Sequence, residues 1–364
     1  TPRPMGSFKK YLLESLFRLA VLWLKVLQGA LYLVGLRRDI ALPPGEGAAG
    51  RNFRVSRVNG MPVLWSGGLP YPTYVDQSSH PVQVLRGTWK MRFDGGETGR
   101  TERWQDSTDF GPEWMDSEIP RTYNRFNGRF RGHQGITWFA RTFVPDLDFS
   151  PYTFQRLCFE GILSRCSIWV NGRHVGDREG GYTPCYFDVT DCLRPGEENV
   201  IVVRADNRMT YTTMPPRTRP RHTHAWGIFG GIYRDVRIES VPRQYVFKVT
   251  ANPVVAEGRT RLEVCLGLHH HEMHEGYDLR VDLTDPDGNR ICQECQKSSE
   301  ATKSLSVHSW ELPVPEPRLW SPDSPDLYGL HVTLSTADTV QQLTVETGIR
   351  SVEVDGPRIL LNGE

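Results

Sequence analysis

Residues 167–190 read SIWVNGRHVGDREGGYTPCYFDVT, and few folds accept such a stretch. Residues 167–170 are rich in β-branched and aromatic side chains, which favour a pleated, half-buried strand. Asn171-Gly172 follows at once. Both residue types tolerate positive φ, so the pair closes a two-residue hairpin. A second strand runs on to Gly180-Gly181, where the glycines let the backbone bend before Tyr182-Thr183-Pro184 and a third strand. A chain built this way makes sheets.

The same pattern recurs through the body of the chain. Residues 137–144 (TWFARTFV), 156–160 and 199–205 (NVIVVRA) alternate or run apolar between turn residues, and 231–238 (GIYRDVRI) alternates with period two. A second block begins near Pro242. It holds strand-like runs at 246–250, 260–268, 278–283, 304–310, 327–334 and 342–346, with Asp285-Pro286-Asp287-Gly288 as a strong turn. About seven strands in about 100 residues is the size of an immunoglobulin-like sandwich. No helix-length amphipathic run follows residue 40, so the expected class is all-β.

Residues 8–38 differ from this body. Residues 16–36 are dominated by Leu, Val, Ala, Trp and Tyr, between Lys9-Lys10 and Arg37-Arg38. The length suits a membrane span of roughly 20 residues. Lys10, Glu14, Arg18, Lys25, Gln28 and Tyr32 nevertheless share one narrow stripe at helical spacing. Three readings stand side by side: an interfacial helix on a membrane, a spanning anchor with Lys25 at a cost, and a helix that packs on protein. Residues 39–83 have the Gly, Pro and Ser content of a linker, with Asn59-Gly60 as a hairpin turn within it.

Charge and cysteine usage narrow the function classes. Lys plus Arg and Asp plus Glu number 43 each, so the formal net charge is zero and no global field recruits nucleic acid. Seven cysteines without regular spacing do not form a disulfide framework. No Asn-x-Ser/Thr acceptor occurs. Aromatic residues are plentiful and mostly fill β-sandwich cores. No G-x-x-x-x-G-K-[ST], no G-x-G-x-x-G after a strand and no H-E-x-x-H occur in the sequence. His269, His270, His271 and His274 ahead of Cys292 and Cys295 bring a zinc site to mind. However, two cysteines three apart on a strand face opposite ways, so an exposed histidine-rich loop is expected and no metal or other cofactor is assigned. Glu197-Glu198, after Pro195-Gly196, reads as a solvated turn rather than an acid pair, and the lone Glu160 carries no role.

The motifs together resemble glycoside hydrolase family 2, most like its β-glucuronidases. The likeness runs from about residue 85 to residue 364. "WVNG…GGYTP…DVT" at 169–190 resembles the sugar-binding domain. LRGTW at 85–89, PRTYN at 120–124, GITWFARTF at 135–143, DNRMTYTTMPP at 206–216 and GIYR at 231–234 resemble further family segments. RLWSPDSPDLY at 318–328 is similar to the end of the family's immunoglobulin-like domain. GIRSVEVDGPRILLNG at 348–363 looks like the strand pair that leads into the catalytic barrel. The resemblance implies a jelly-roll sugar-binding domain at 84–242, an immunoglobulin-like sandwich at 243–350 and a lead-in at 351–364, preceded by the apolar helix at 1–40 and the linker at 41–83.

In the family a (β/α)₈ barrel follows, whose two glutamates cleave a β-glycosidic bond with retention, about 5 Å apart. The chain opens on Thr1 and stops at Glu364, so it is read as the N-terminal portion of such an enzyme, inactive alone and with no catalytic residue assigned. The implied partner is a glycoside substrate. The full enzyme is expected to be a homo-oligomer, and membrane contact rests on residues 8–38. One departure bears on substrate. Glucuronidases carry an aspartate in a loop that here reads HAWGIFGGI at 224–232, and its position holds Ala225. A methyl group accepts no hydrogen bond from a sugar hydroxyl, which leaves His222, His224 and Trp226 as substrate-binding candidates. It also keeps open a β-galactosidase or β-mannosidase of the same family. The rival class is a non-catalytic carbohydrate-binding or membrane-tethered protein.

Overall fold

Antiparallel pairing organises the whole of the described chain. The computed structural model describes residues 53–73, 80–125, 132–208, 229–256, 259–272, 275–299 and 303–364. The apolar segment at 8–38 lies outside them, and so does any membrane contact it makes. Among the described residues there is no α-helix, only short 3₁₀ turns between strands.

The stretch expected as a linker is in part folded. Strands β1 (Phe53–Val58), β2 (Met61–Ser66) and β3 (Leu69–Pro70) form a small antiparallel sheet. Asn59 and Gly60, at φ 47° and 83°, close its first hairpin. The composition misled because Met61, Val63 and Leu69 are few among Gly and Pro, yet all three are buried against the sandwiches that follow.

The first sandwich is built from β4 (Val82–Val84), β5 (Gly87–Asp94), β6 (Met115–Ile119), β7 (Ile136–Phe143), β8 (Thr153–Phe159), β9 (Ile162–Leu163), β10 (Arg165–Val170), β11 (Arg173–Glu179), β12 (Cys185–Asp188), β13 (Asn199–Asp206), β14 (Gly231–Ile232) and β15 (Val236–Pro242). Six strands pair in the order β11-β10-β13-β7-β5-β6, four in the order β12-β8-β15-β4, and β14 pairs with β9. Asn171 and Gly172, at φ 50° and 77°, form the β10–β11 turn that the sequence specifies. The two sheets meet face to face: Trp89, Phe139, Ile168 and Val203 of one pack with Leu157, Phe159, Phe187 and Ile238 of the other. Alternation along each strand sends the remaining apolar residues outward. On the six-stranded sheet these include Ile136, Trp138, Ala140, Trp169, Val200 and Val202, covered by Trp104 and Trp114 from the 95–114 connection.

Residues 231–238, expected as a single alternating strand, are two. Tyr233 and Arg234 donate their backbone N–H groups to the Gly161 carbonyl at 3.1 and 3.4 Å. The break between β14 and β15 therefore matches the break between β9 and β8. Both pairings are antiparallel, so the period-two pattern runs through the interruption.

The second sandwich contains β16 (Gln244–Val254), β17 (Arg261–His270), β18 (Tyr277–Thr284), β19 (Arg290–Ser298), β20 (Leu305–Pro313), β21 (Tyr328–Ser335) and β22 (Val340–Thr347). Sheets β16-β17-β20 and β19-β18-β21-β22 enclose Val246, Leu266, Leu268, Leu279, Val281, Leu330 and Val332. The β18–β19 turn is the expected one: Asp285 accepts Gly288 N–H on its carbonyl, and Asp287 and Asn289 N–H on its carboxylate. A last hairpin, β23 (Val352–Asp355) with β24 (Arg358–Leu361), closes the chain.

The outer face of the four-stranded sheet is where all three units meet. Phe154, Cys158, Tyr186 and Val241 lie beneath Met61, Val63 and Leu69 on one side and Tyr245, Phe247 and Leu305 on the other. Into this apolar junction the alternation of β8 and β15 also delivers Arg156 and Glu239. Their side chains are 5 % and 6 % exposed and 2.6 Å apart. Arg156 lies over the Tyr186 ring at 5.1 Å, and Arg237 bonds the other Glu239 oxygen at 2.5 Å. At the junction's rim His271 meets Asp188 at 2.9 Å.

Burial pushes the Glu239 carboxyl up, but the Arg156 and Arg237 charges and hydrogen bonds outweigh it and hold it down at about 2. A carboxylate held below its ordinary value of 4.5 stabilises the fold above that value and ceases to as pH falls through about 2. Glu239→Gln leaves Arg156 buried without its counter-charge and should cost roughly 3–5 kcal/mol at neutral pH. Denaturant unfolding followed from pH 6 to pH 2, about the range of the linkage, should show the parent losing stability more steeply than the variant. Parallel curves would contradict the account.

Candidate functional site

One end of the first sandwich gathers most of the motifs that carry the family resemblance. The β9–β14 pair lies at its centre, with Gly231 opposite Leu163 and Ile232 opposite Ile162. The 120–124 motif docks here: Arg121 N–H donates to the Ile232 carbonyl at 3.0 Å, and Tyr123 N–H to that of Gly230 at 3.3 Å. The Gly180-Gly181 bend docks on the other side. Gly180 N–H donates to the Ser164 carbonyl at 2.8 Å, and Tyr233 Oη donates to the Gly181 carbonyl at 2.6 Å. A Cβ on Gly181 would lie 2.1 Å from Leu163 Cδ2, so a larger residue at the bend would require the Leu163 side chain to shift.

Asp206, Asn207 and Arg208 end β13 at the same place. The Asp206 carboxylate is buried. It accepts from its own neighbour, with Arg208 Nη2 at 2.6 Å and the Arg208 backbone N–H at 2.9 Å, and from Arg165 Nη2 at 3.3 Å. Burial pushes this carboxyl up, but the Arg208 hydrogen bonds and the two guanidinium charges hold it below the usual range, so it stays ionised. Arg208 also reaches Glu97 at 2.7 Å. Asn207, 3 % exposed, accepts Gly135 N–H at 2.9 Å and donates to the His133 and Phe229 carbonyls at 2.9 and 3.4 Å. His133 packs on Phe93 at 4.4 Å and Tyr123 at 5.8 Å, and burial pushes its imidazole toward the neutral form. Burial likewise pushes the Tyr123 phenol up. The carboxylate and amides here are engaged in fixing backbone.

The segment that departs from this end and returns to it is 209–228. His222, His224 and Trp226, together with Ala225, lie in it, outside the described residues. Its two flanks are described, and Asn207 bridges them by its bond to Phe229. Asp206, Asn207 and Arg208 open the 206–216 family-like motif but are not among the candidate site residues expected from the sequence. The signal was there in an Asp and an Arg two apart at the end of a strand. Nothing in the sequence pointed to His133.

Other candidates are placed elsewhere. Glu160 pairs with Arg237, and Glu197 sits in a turn closed by its N–H to the Arg194 carbonyl at 3.4 Å. His274 lies outside the described residues, but the start of the histidine run is not an exposed loop. His269 and His270 are buried at the end of β17, because that strand runs into the three-way junction, where His269 meets Tyr245 and Trp65 edge-on. Burial, and then the neighbouring His271 and His270, push the His269 imidazole down to about 3. Cys292 and Cys295 belong to β19 in the other sheet. The first packs against the core and the second is exposed. Among the described residues no three His, Cys, Asp or Glu side chains group as metal ligands.

Comparison with known proteins accords with this geometry. Residues 82–242 match the sequence profile of "Glycosyl hydrolases family 2, sugar binding domain", and residues 244–350 match that of "Glycosyl hydrolases family 2". A β-glucuronidase of Paenibacillus borealis is 27% identical over 79% of this chain and 48% of its own length. One from Rattus norvegicus is 26% identical over 83% and 49%. A β-galactosidase of Thermoanaerobacter pseudethanolicus is 27% identical over 63% and 30%. The chain thus spans about half the length, or less, of these relatives. A Ruminococcus gnavus β-glucuronidase solved with uronic isofagomine superposes with a TM-score of 0.65 at 21% identity, over 80% of this chain and 49% of that one; this is a likeness of fold. The two profiles fall in tandem on the two sandwiches, and the chain belongs to glycoside hydrolase family 2.

Proposed function

We propose that this chain forms the sugar-binding and immunoglobulin-like portion of a retaining β-glycosidase that acts on β-glucuronides. The observation that carries the reading is the run of β-glucuronidase relatives that align across both sandwiches. The gathering of the family motifs around β9 and β14 supports it. The chain's own part is to build one wall of a sugar pocket, since concave sites form preferentially at domain interfaces. His222 and His224 supply hydrogen-bond donors and acceptors to sugar hydroxyls, and Trp226 supplies an apolar face for the ring. The catalytic carboxylates belong to polypeptide outside this sequence, no organic cofactor is required, and assembly as a homo-oligomer is part of the proposal.

A second reading, a β-galactosidase or β-mannosidase, is kept by two observations: the β-galactosidase relative and Ala225 at the aspartate position. A non-catalytic carbohydrate-binding protein is the third outcome of the test.

Three results are expected. A polypeptide continued past Glu364 in its own reading frame should hydrolyse a chromogenic β-glucuronide at least about tenfold better, by kcat/KM, than the β-galactoside, a difference of about 1.4 kcal/mol in transition-state binding. The reverse preference would move the protein to a sister group, and hydrolysis of neither would remove the enzyme reading. Trp226→Ala should raise KM by roughly tenfold, the order of one lost aromatic contact. An unchanged KM would take Trp226 out of the site. Ala225→Asp adds an acceptor for sugar hydroxyls and should lower KM for the preferred glycoside by about tenfold, the scale of one hydrogen bond to a charged group; no gain would mean that the sugar does not reach this position.

A further inference from the structure

The outward face of the β16-β17-β20 sheet is covered over only part of its length. Alternation and register place its side chains in cross-strand rows. Lys248, Gly267 and Val307 form one row, Thr250, Cys265 and Ser309 the next, and Asn252, Glu263 and Glu311 a third. The small N-terminal sheet sits on the first row. Lys248 Nζ donates to the Pro62 carbonyl at 2.6 Å, a Cβ on Gly267 would lie 2.6 Å from Met61 Cε, and Val307 packs in the same cluster as Met61. The cover stops at Cys265, whose Sγ meets Met61 Sδ at 3.8 Å. The second and third rows line a cleft of about 410 Å³. That lies within the range of roughly 300–1,000 Å³ for ligand sites, which form preferentially where domains meet.

The floor of the cleft is rich in hydrogen-bond acceptors. Glu263 and Glu311 stand directly opposite each other, an arrangement of like charges that weakens a sheet. Arg261, one row further on, offsets it: Nη2 meets Glu263 Oε1 at 2.7 Å, and Nε lies 3.3 Å from Glu311 Oε2. One guanidinium thus answers two carboxylates, and one negative charge is left over. Among the described residues, Glu263 Oε2, Glu311 Oε1, the Asn252 amide and the Ser309 hydroxyl have no hydrogen-bond partner. Thr250 Oγ1 donates to the Cys265 carbonyl at 3.3 Å and keeps its capacity to accept.

This set complements a ligand that carries many hydroxyls and no charge. Hydroxyls donate to the two carboxylates in charge-assisted bonds, while the amide and the Ser309 hydroxyl both donate and accept. A sugar acid would meet a charge of its own sign. Arg261, which already neutralises one carboxylate, disfavours a polycation. Each row crosses three strands, about 10 Å, which accommodates a disaccharide unit. We infer that this cleft is a carbohydrate site on the immunoglobulin-like sandwich, separate from the β9–β14 end, and that it takes a neutral oligosaccharide of two or three rings. It holds the sugar without cleaving it, and it does not depend on the glycosidase reading.

The test uses the 364-residue chain and ligand-observed NMR titration. The probes are cellotriose and maltotriose, neutral trisaccharides of extended and curved shape, with trigalacturonate and trilysine as charged counterparts. At least one neutral trisaccharide should bind with a Kd of about 1 mM or tighter. Asn252→Ala and Glu311→Gln, substitutions at exposed positions that spare the fold, should each weaken that binding by about tenfold, the scale of one hydrogen bond. A second measurement locates the sugar. Bound trisaccharide should slow iodoacetamide alkylation of Cys265 several-fold, about the protection a mostly filled site gives, and leave the exposed Cys295 of the other sheet reacting as before. Failure of both neutral trisaccharides to bind, or binding that neither variant weakens, would overturn the inference. So would protection of both cysteines or of neither, which would put the sugar elsewhere. Trigalacturonate binding as tightly as the neutral probes would contradict the part given to the carboxylates, and binding of trilysine alone would make the cleft a site for basic peptides instead.

Discussion

A sheet buried on both faces sets the arrangement of this molecule. The four-stranded sheet of the first sandwich turns Leu157, Phe159 and Ile238 inward and Phe154, Cys158 and Val241 outward. The outward set has to be covered, and the cover comes from two directions, the small N-terminal sheet and the first strands of the second sandwich. Arg156 and Glu239 sit in the middle of that cover. A buried ion pair adds little net stability compared with apolar residues of the same shape. Breaking it is costly, however, because one charge would be left buried without its partner. Arg156 over Tyr186 and near Tyr245, with His271 on Asp188 at the rim, ties the pair to the second sandwich.

At one end of the first sandwich the same economy of polar groups serves the chain path. Asp206 is ionised and enclosed by Arg165 and Arg208, and Asn207 has its amide on three backbone groups. Buried polar groups that are satisfied in this way fix geometry more than they add stability. Close contacts at Gly181 and Gly230 have the same effect from the steric side. A scaffold fixed in this way suits the proposed part in a sugar pocket, because functional segments are disproportionately carried on rigid scaffolds.

Much of this was legible in the sequence, where a short-range rule governs. Asn171-Gly172 and Asn59-Gly60 impose their turns by φ alone, Asp285 writes its turn through its own side chain, and period two marks the strands of both sandwiches. What stayed hidden depends on partners far along the chain. Residues 53–70 look like linker because their few apolar residues are buried by other units. The break at 233–235 is invisible because antiparallel pairing on both sides preserves the alternation. His269 and His270 read as a solvated loop, since nothing local says that β17 ends inside a junction. The candidate site divides in the same way. The motifs around it could be quoted from the sequence, but the reach of Asn207 to 133–135 and 229 could not.

The proposal to be tested is that this end of the first sandwich forms a wall of the sugar pocket in a family 2 β-glycosidase. A crystal structure of the polypeptide continued past Glu364, soaked with an uncleaved glucuronide mimic, tests it most directly. The account predicts the sugar within hydrogen-bonding distance, about 3 Å, of a residue in 209–228, with the Asn207 amide still bonded to Gly135, His133 and Phe229. A mimic bound with no atom of 209–228 in contact would contradict it.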